Sequence, residues 1–207
     1  MALVMDIAHP VLVLFAHPAI RNSRVNRRLV DAVRDLDGVT VNDLYDEYPD
    51  LNIDVTREQE LLAAHEIVVF QHPFYWYSTP AILKEWQDLV LEHGWAYGHD
   101  GDALRGKALL SAMTTGGSED AYCAEGSNRF SVRQLLAPIE QTARLCGMDF
   151  LPPFVVHGTF KLTAPEIEDH AVDYRRIVEA LRDGRVRSDG VAGLRRLNSD
   201  LDALLGG

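Results

Sequence analysis

The sequence predicts an α/β fold, a doubly wound parallel sheet of five strands with helices on both faces, in a single domain. Three observations carry that expectation. Short β-branched apolar runs alternate with amphipathic stretches of helical period, the pattern of repeated strand–helix–strand units. The 207 residues suffice for a full core and make one domain the default. Hydrophobic residues make up 47% and charged residues 25%, the proportions of an ordinary globular domain.

The elements follow in order. Val11 to Ala16 is an uncharged run that reads as a buried strand. From Ser23 to about Leu36, the side chains of Val25, Leu29, Val33 and Leu36 share one helical face, and Gly38 breaks the chain. Val39 to Leu44 is a second strand. Thr56 to Ala64 is a helix, with Thr56 as N-cap and Gln59 completing a capping box. Ile67 to Phe70 is a third buried strand. A helix runs from about Thr79 to Glu92, with Pro80 in its first turn and Gly94 past its end. Lys107 to Thr114 is a fourth strand, ending in Thr114-Thr115-Gly116-Gly117. Ser131 to Leu145 is a helix stopped by Gly147. Met148 to His157 is a fifth strand, broken by Pro152-Pro153, and Pro165 to Leu181 is a helix. The expected division is an N-terminal tail at 1–9, the domain at 10–183 and a C-terminal tail at 184–207. In that tail Asp183 to Gly190 reads as a polar hinge. Val191 to Leu205 reads as a short amphipathic helix packed on the domain or on a partner subunit.

Composition excludes several function classes. The formal net charge is −11, which gives no broad attraction for nucleic acid or anionic lipid. The two cysteines, Cys123 and Cys146, stand at neither CxxC nor zinc-ligand spacing, which removes a disulfide scaffold and a zinc module and favours a reducing compartment. Met1 to His9 lacks a basic stretch followed by a long apolar one, so it does not read as a signal peptide. The apolar run Val11 to Ala16 is far short of the roughly 20 residues that span a bilayer. A cytoplasmic protein is the expectation.

In open parallel sheets, ligands bind beyond the carboxyl ends of the strands, where the strand order reverses. Three loops there carry unusual residues. The first, Ala16 to Asn26, has neither GxGxxG nor GxxxxGK[ST], which argues against a dinucleotide Rossmann site and a P-loop. It holds hydroxyl, amide and guanidinium groups before a helix start, and free N–H groups after Ser23 suit a phosphate. A plain capped helix is the alternative. The second, His72 to Pro80, carries four consecutive aromatics, Phe74 to Tyr77, which suit a flat conjugated ligand, an interface or a lid over the core. The third, Thr114 to Ser118 with Tyr122 behind it, offers a Gly-Gly turn with backbone N–H donors. A simple turn is its alternative. His17, His72 and His157 near strand ends raise a metal site, which lacks any carboxylate or cysteine at ligand spacing, so no metal is expected. A phosphate-type loop, an aromatic wall and a donor turn together describe a mononucleotide with a flat redox ring, a flavin.

These segments resemble the flavodoxin-like quinone reductase family, and within it the ancillary oxidoreductases of glutathione-regulated potassium-efflux systems. The pieces are LFAHP at Leu14–Pro18, SRVN at Ser23–Asn26, LYDEYPDLNID at Leu44–Asp54, QHPFYWYS at Gln71–Ser78 and PAILKEW at Pro80–Trp86. HGWAYG at His93–Gly98, LRGK at Leu104–Lys107, TTGG at Thr114–Gly117 and LPPF at Leu151–Phe154 complete them. They span about Val11 to Asp183. The resemblance implies FMN, with FAD as the alternative, NAD(P)H as electron donor and a quinone-like acceptor. It implies a two-electron ping-pong hydride transfer through flavin N5, and a homodimer with shared sites. It also implies a second role as a regulatory subunit of a potassium-efflux transporter, which would bring the protein to the inner membrane. On this reading His17, Ser23, Arg24, Val25 and Asn26 hold the phosphate end. Pro73, Phe74, Tyr75, Trp76 and Tyr77 line the ring and ribityl chain, and Thr114, Thr115, Gly116 and Gly117 meet the ring's polar edge. Tyr122, with the Gly116 and Gly117 N–H groups, would stabilise the reduced ring. The family often has a histidine six residues after that tyrosine, where this chain has Asn128. Tyr97 and His99 fall where the family covers the partner subunit's flavin, and with Asn128 they form the expected substrate side.

Overall fold

A computed structural model describes residues 9–186, 191, 193–199 and 201–205. The expected tail at residues 1–8 and the hinge residues 187–190 lie outside the described residues. Strands β1 (Val11–Phe15), β2 (Val39–Asp43), β3 (Ile67–Pro73) and β4 (Ala108–Thr114) form a parallel sheet in the order β2-β1-β3-β4-β5. The fifth position is shared by two short strands flanking Pro152-Pro153: β5 (Asp149–Phe150) pairs with the start of β4 and β6 (Phe154–Val156) with its end. Neither proline can donate a ladder hydrogen bond, hence the division. Register places Val13 between Val41 and Val69, and Pro73 beside Thr114.

Both faces of the sheet are covered, which is why the strands read as continuous apolar runs rather than as alternating ones. Val11, Val13 and Phe15 face one core with helices α1 (Val25–Val33) and α7 (Ala164–Arg182). Leu12, Leu14 and Ala16 face the other with α3 (Val55–Ala64), α4 (Ala81–Val90) and α6 (Ala137–Leu145). Short helices α2 (Leu44–Glu47) and α5 (Val132–Leu135) complete the domain. The fold is the doubly wound α/β fold that the sequence predicts. Among the described residues no helix is long and apolar enough to cross a membrane.

Local chemistry sets the boundaries, and it departs from the sequence-based expectation in three places. The cap of α3 is Asp54, whose carboxylate accepts from the Arg57 N–H at 3.0 Å. Thr56 lies inside the helix, and the Gln59 amide bonds the Val90 carbonyl at 3.1 Å instead of closing a box. The helix expected over Ser131 to Leu145 divides at Leu136, because Pro138 in the first turn of α6 has no N–H to continue the ladder. A capping box between Ser131 and Gln134 starts α5. The single tail helix expected from Val191 to Leu205 is interrupted: Val191 is helical, Gly193 lies in a turn, Leu197–Ser199 is a 3₁₀ turn and Leu201–Leu205 a helix α8.

His72, on β3, is fully buried. Its Nδ1 donates to the Pro73 carbonyl at 3.0 Å, and its Nε2 has no partner. Burial pushes its pKa from 6.5 down to about 4, against the smaller opposing pull of that carbonyl. A lowered histidine pKa means the unfolded chain binds the proton first. Stability therefore falls as pH drops through the window from 6.5 to about 4, by about 1.4 kcal/mol per unit at most. Urea midpoints measured across that window should drop less in His72→Gln than in the native chain. Parallel curves for the two proteins would show that His72 is not held neutral.

Candidate functional site

The sheet order reverses at β1, which has β2 on one side and β3 on the other. The loops after β1, β3 and β4 meet at that edge. Phe74 continues the β3–β4 pairing, with its N–H on the Thr114 carbonyl at 2.8 Å. It lines two cavities of about 280 Å³ each.

The first cavity lies between His17, the Ser23–Asn26 segment and the Pro73–Tyr75 turn, with Thr114 and Gly116 opposite. Ser23 has extended backbone, and its hydroxyl accepts from the Asn26 N–H at 3.1 Å, so it caps α1. The neighbouring first-turn N–H groups have no intrahelical acceptor, and together with the helix dipole they make an anion site. The His17 Nδ1 accepts from the Ala19 N–H at 3.1 Å, so the hydrogen of the neutral ring sits on Nε2. Burial pushes the His17 pKa down, so the free protein holds a neutral donor there. Arg24 donates to the Leu162 carbonyl at 2.9 Å. Asn26 is buried and reaches across to β4, where its Nδ2 donates to the Thr114 Oγ1 at 2.8 Å. Its Oδ1 is buried with no partner among the described residues. A buried acceptor in this wall is free to take a hydrogen bond from a hydroxyl or a water.

The second cavity is lined by Phe74, Trp76, Tyr77, Gly117, Tyr122 and Asn128, together with Ala121 and Ser127. The turn over it is strained. Trp76 and Tyr77 both adopt left-handed backbone, with φ of 49° and 63°, while Tyr75 and Ser78 bridge across the turn. Non-glycine residues held this way cost on the order of 1–3 kcal/mol each and cluster at ligand clamps. The Tyr77 hydroxyl donates to the Asn128 Oδ1 at 3.1 Å, which ties the turn to the opposite wall. Trp76 is left 92% exposed, a large apolar side chain that no described residue covers.

Neither Gly116 nor Gly117 has positive φ, so what a side chain would meet at each is a matter of space rather than of backbone conformation. A Cβ on Gly116 would lie 2.5 Å from the Phe160 ring, and one on Gly117 would lie 3.2 Å from Tyr122. Among the described residues their N–H groups have no acceptor. Thr115 lines neither cavity. It lies beneath the turn and donates to the Gly117 carbonyl at 2.8 Å. Its single hydrogen is thereby used, so the His157 Nδ1, 3.1 Å away, donates to Thr115. Burial and then the charge of Arg196 push the His157 pKa down to about 4. The Tyr122 ring lies 5.5 Å from that of His157, and burial pushes its phenol up, so it remains a donor at neutral pH.

Tyr97 and His99 line neither cavity. Tyr97 packs edge-on against His93 at 5.4 Å, and His99 is exposed. Sequence reasoning missed Asn22, Thr159 and Phe160, all of which line the first cavity. Thr159 and Phe160 follow β6, and two bonds bring them there: Gly158 N–H to the Gly117 carbonyl at 2.9 Å, and Thr159 N–H to the Thr115 carbonyl at 3.1 Å. The only available signal was that they follow a strand end.

In comparisons with known proteins, residues 9–178 match the family described by a flavodoxin-like fold. A curated relative is the glutathione-regulated potassium-efflux system ancillary protein KefF of Enterobacter sp. (strain 638), 46% identical over 166 residues, or 80% of this chain and 93% of that one. General stress protein 14 from Treponema denticola, solved in complex with FMN, is 42% identical with a TM-score of 0.80, covering 83% of this chain and 98% of that one. An NADPH-quinone reductase from P. pentosaceus is 30% identical with a TM-score of 0.74, covering 81% and 96%.

Proposed function

Because the chain belongs to the flavodoxin-like family, we propose that it is an FMN-dependent NAD(P)H:quinone oxidoreductase. One observation carries this reading: the two cavities that share Phe74, one with a helix N-terminus and Gly116, the other with an aromatic wall and Gly117. The residues fit the cofactor. The unpartnered Asn26 Oδ1 suits a ribityl hydroxyl, and the capped start of α1 suits a terminal phosphate. A relative solved with FMN supports the choice of FMN over FAD.

Bound there, FMN supplies two-electron redox chemistry between a nicotinamide donor and a quinone-like acceptor. The protein's part is to position it. His17, Ser23, Arg24, Val25 and Asn26 hold the phosphate end. Pro73 to Tyr77 flank the ring, with Trp76 leaving space for donor and acceptor to stack in turn. The Gly116 and Gly117 N–H groups and the Tyr122 hydroxyl are the donors for the ring's polar edge, where negative charge gathers on reduction. Thr115 and His157 hold that loop from beneath. Tyr97 and His99 belong, on this reading, to the partner's site in a homodimer.

The test is direct. The protein purified without added cofactor is titrated with FMN and with FAD, and uptake is followed by quenching of flavin fluorescence. NAD(P)H oxidation is then measured with a quinone. Uptake of FMN in preference to FAD, with parallel double-reciprocal lines, is the expected result. No uptake of either flavin would overturn the reading. A second role, regulation of a potassium-efflux transporter, is favoured by the name of the KefF relative. An FMN-loaded protein that activates such a transporter and shows no quinone turnover would move the conclusion to that role.

A further inference from the structure

The family match ends at residue 178, yet the chain continues and returns to the sheet. Leu197 is fully buried, Val191 and Leu201 are nearly so, and all three join the core shared by α1 and α7. The Leu197 N–H donates to the Pro153 carbonyl at 2.9 Å. Asn198 then acts as one more strand residue on the outer edge of β6: its Nδ2 donates to the Val155 carbonyl at 2.9 Å, and its Oδ1 accepts from the Val155 N–H at 3.2 Å. Arg176 of α7 pairs with Asp202 at 2.8 Å and anchors α8. The other edge of β6 pairs with β4 and leads directly into Gly158 and Thr159, which bond the diglycine turn.

A second contact reaches the same loop from a different side. Arg196 pairs at 2.7 Å with Glu119, which opens the 3₁₀ turn Glu119–Ala121 immediately before Tyr122. The Arg196 side chain is only 23% exposed. The segment therefore grips the Thr115–Tyr122 loop twice, through β6 beneath it and through Glu119 beside it.

We propose that the C-terminal segment Val191–Leu205 is a brace for the ring end of the site, with Arg196 and Asn198 as positioning residues for the diglycine turn and Tyr122. The proposal rests on the flavin reading above for its consequence in affinity, and on the geometry alone for its consequence in loop mobility. The full-length protein is used, with Arg196→Gln, Arg196→Lys and Asn198→Leu. Amide hydrogen exchange at Thr115, Ala121 and Tyr122 is measured without flavin, and FMN affinity and steady-state constants are measured with it.

Arg196→Gln breaks a partly exposed pair, so exchange should quicken and FMN affinity weaken by about three- to fivefold, with the melting temperature unchanged. Arg196→Lys should restore both. Asn198→Leu leaves the Val155 N–H and carbonyl unpaired, and should weaken FMN affinity by about tenfold. In both loss variants kcat should fall while the nicotinamide KM holds. Exchange and FMN affinity equal to the native chain's in Arg196→Gln and Asn198→Leu would overturn the brace. If exchange quickens but no form takes up FMN, the brace stands and the cofactor reading falls.

Discussion

On the flavin reading proposed above, Gly117→Val is expected to abolish flavin retention and, with it, quinone turnover. Gly117 forms one wall of the second cavity, and a Cβ there already lies 3.2 Å from the Tyr122 ring. Valine adds two methyl groups beyond that Cβ. Tyr122 is held near His157 and Phe74, with ring centroids 5.5 and 6.4 Å away, so it has little freedom to retreat. The added bulk must enter the cavity. The same change displaces the Gly117 N–H, and losing one such donor costs on the order of 10²-fold or more in rate. FMN affinity measured by fluorescence titration should weaken by about tenfold or more, the cost of forcing the added methyl groups into a packed site, and the purified variant should be colourless. Gly116→Ala is the internal comparison. Its Cβ meets the Phe160 ring, but Phe160 is 86% exposed and can swing outward, so the loss should be far smaller. A Gly117→Val protein with full flavin and full turnover would show that the ring lies elsewhere.

Glu58→Ala is expected to remove a large share of the folding free energy. Glu58 is on α3 and fully buried. Its carboxylate accepts from Asn42 Nδ2 at 3.0 and 2.9 Å, from the Tyr48 hydroxyl at 2.6 Å and from Trp86 Nε1 at 2.8 Å. Arg57 Nη1 donates to it at 2.5 Å and Arg57 also pairs with Glu47 at 3.2 Å. One side chain thus joins β2, the end of α2, α3 and α4. Alanine leaves a cavity and strands the buried donors of Asn42, Tyr48 and Trp86. Arg57 is 38% exposed and regains water, so its share is small. Breaking a buried charged network by removing one partner typically costs about 3–5 kcal/mol. For a chain of this size each kcal/mol lowers the melting temperature by roughly 2–4 °C, so a drop of about 10 °C is expected. Glu58→Gln keeps the shape but turns one acceptor into a donor facing other donors, and should fall between the two. Urea midpoints of the three proteins check the order. A loss under about 1 kcal/mol in Glu58→Ala would mean that the hub is not what joins these elements.

Nothing in the spacing of α3 marks Glu58. It sits among Arg57, Gln59 and Glu60, and reads as part of a solvated face. It is buried because Trp86, Asn42 and Tyr48, each from a different element, converge on it, and convergence of that kind has no local signature. The three site loops were legible for the opposite reason. Each is a contiguous segment with an unusual composition, and the parallel sheet places all strand ends on one side. Ser23, the aromatic turn and the diglycine turn could therefore be read in place. Thr159 and Phe160 could not, because their position depends on Gly158 pairing with Gly117, and Arg196 could not, because its partner lies in a turn far back in the chain.

The sequence by itself determined the order of strands and helices, the parallel sheet, and the three loops that meet at its carboxyl edge. Those are consequences of hydrophobic period and of turn chemistry, which act over a few residues. Only the tertiary structure decided that Asn26 spans to Thr114, 88 residues away, that Phe74 lines both cavities, and that the tail grips the turn before Tyr122. Such contacts depend on strand register and on which groups are left unpaired once the sheet has closed, and the chain acquires both only by folding.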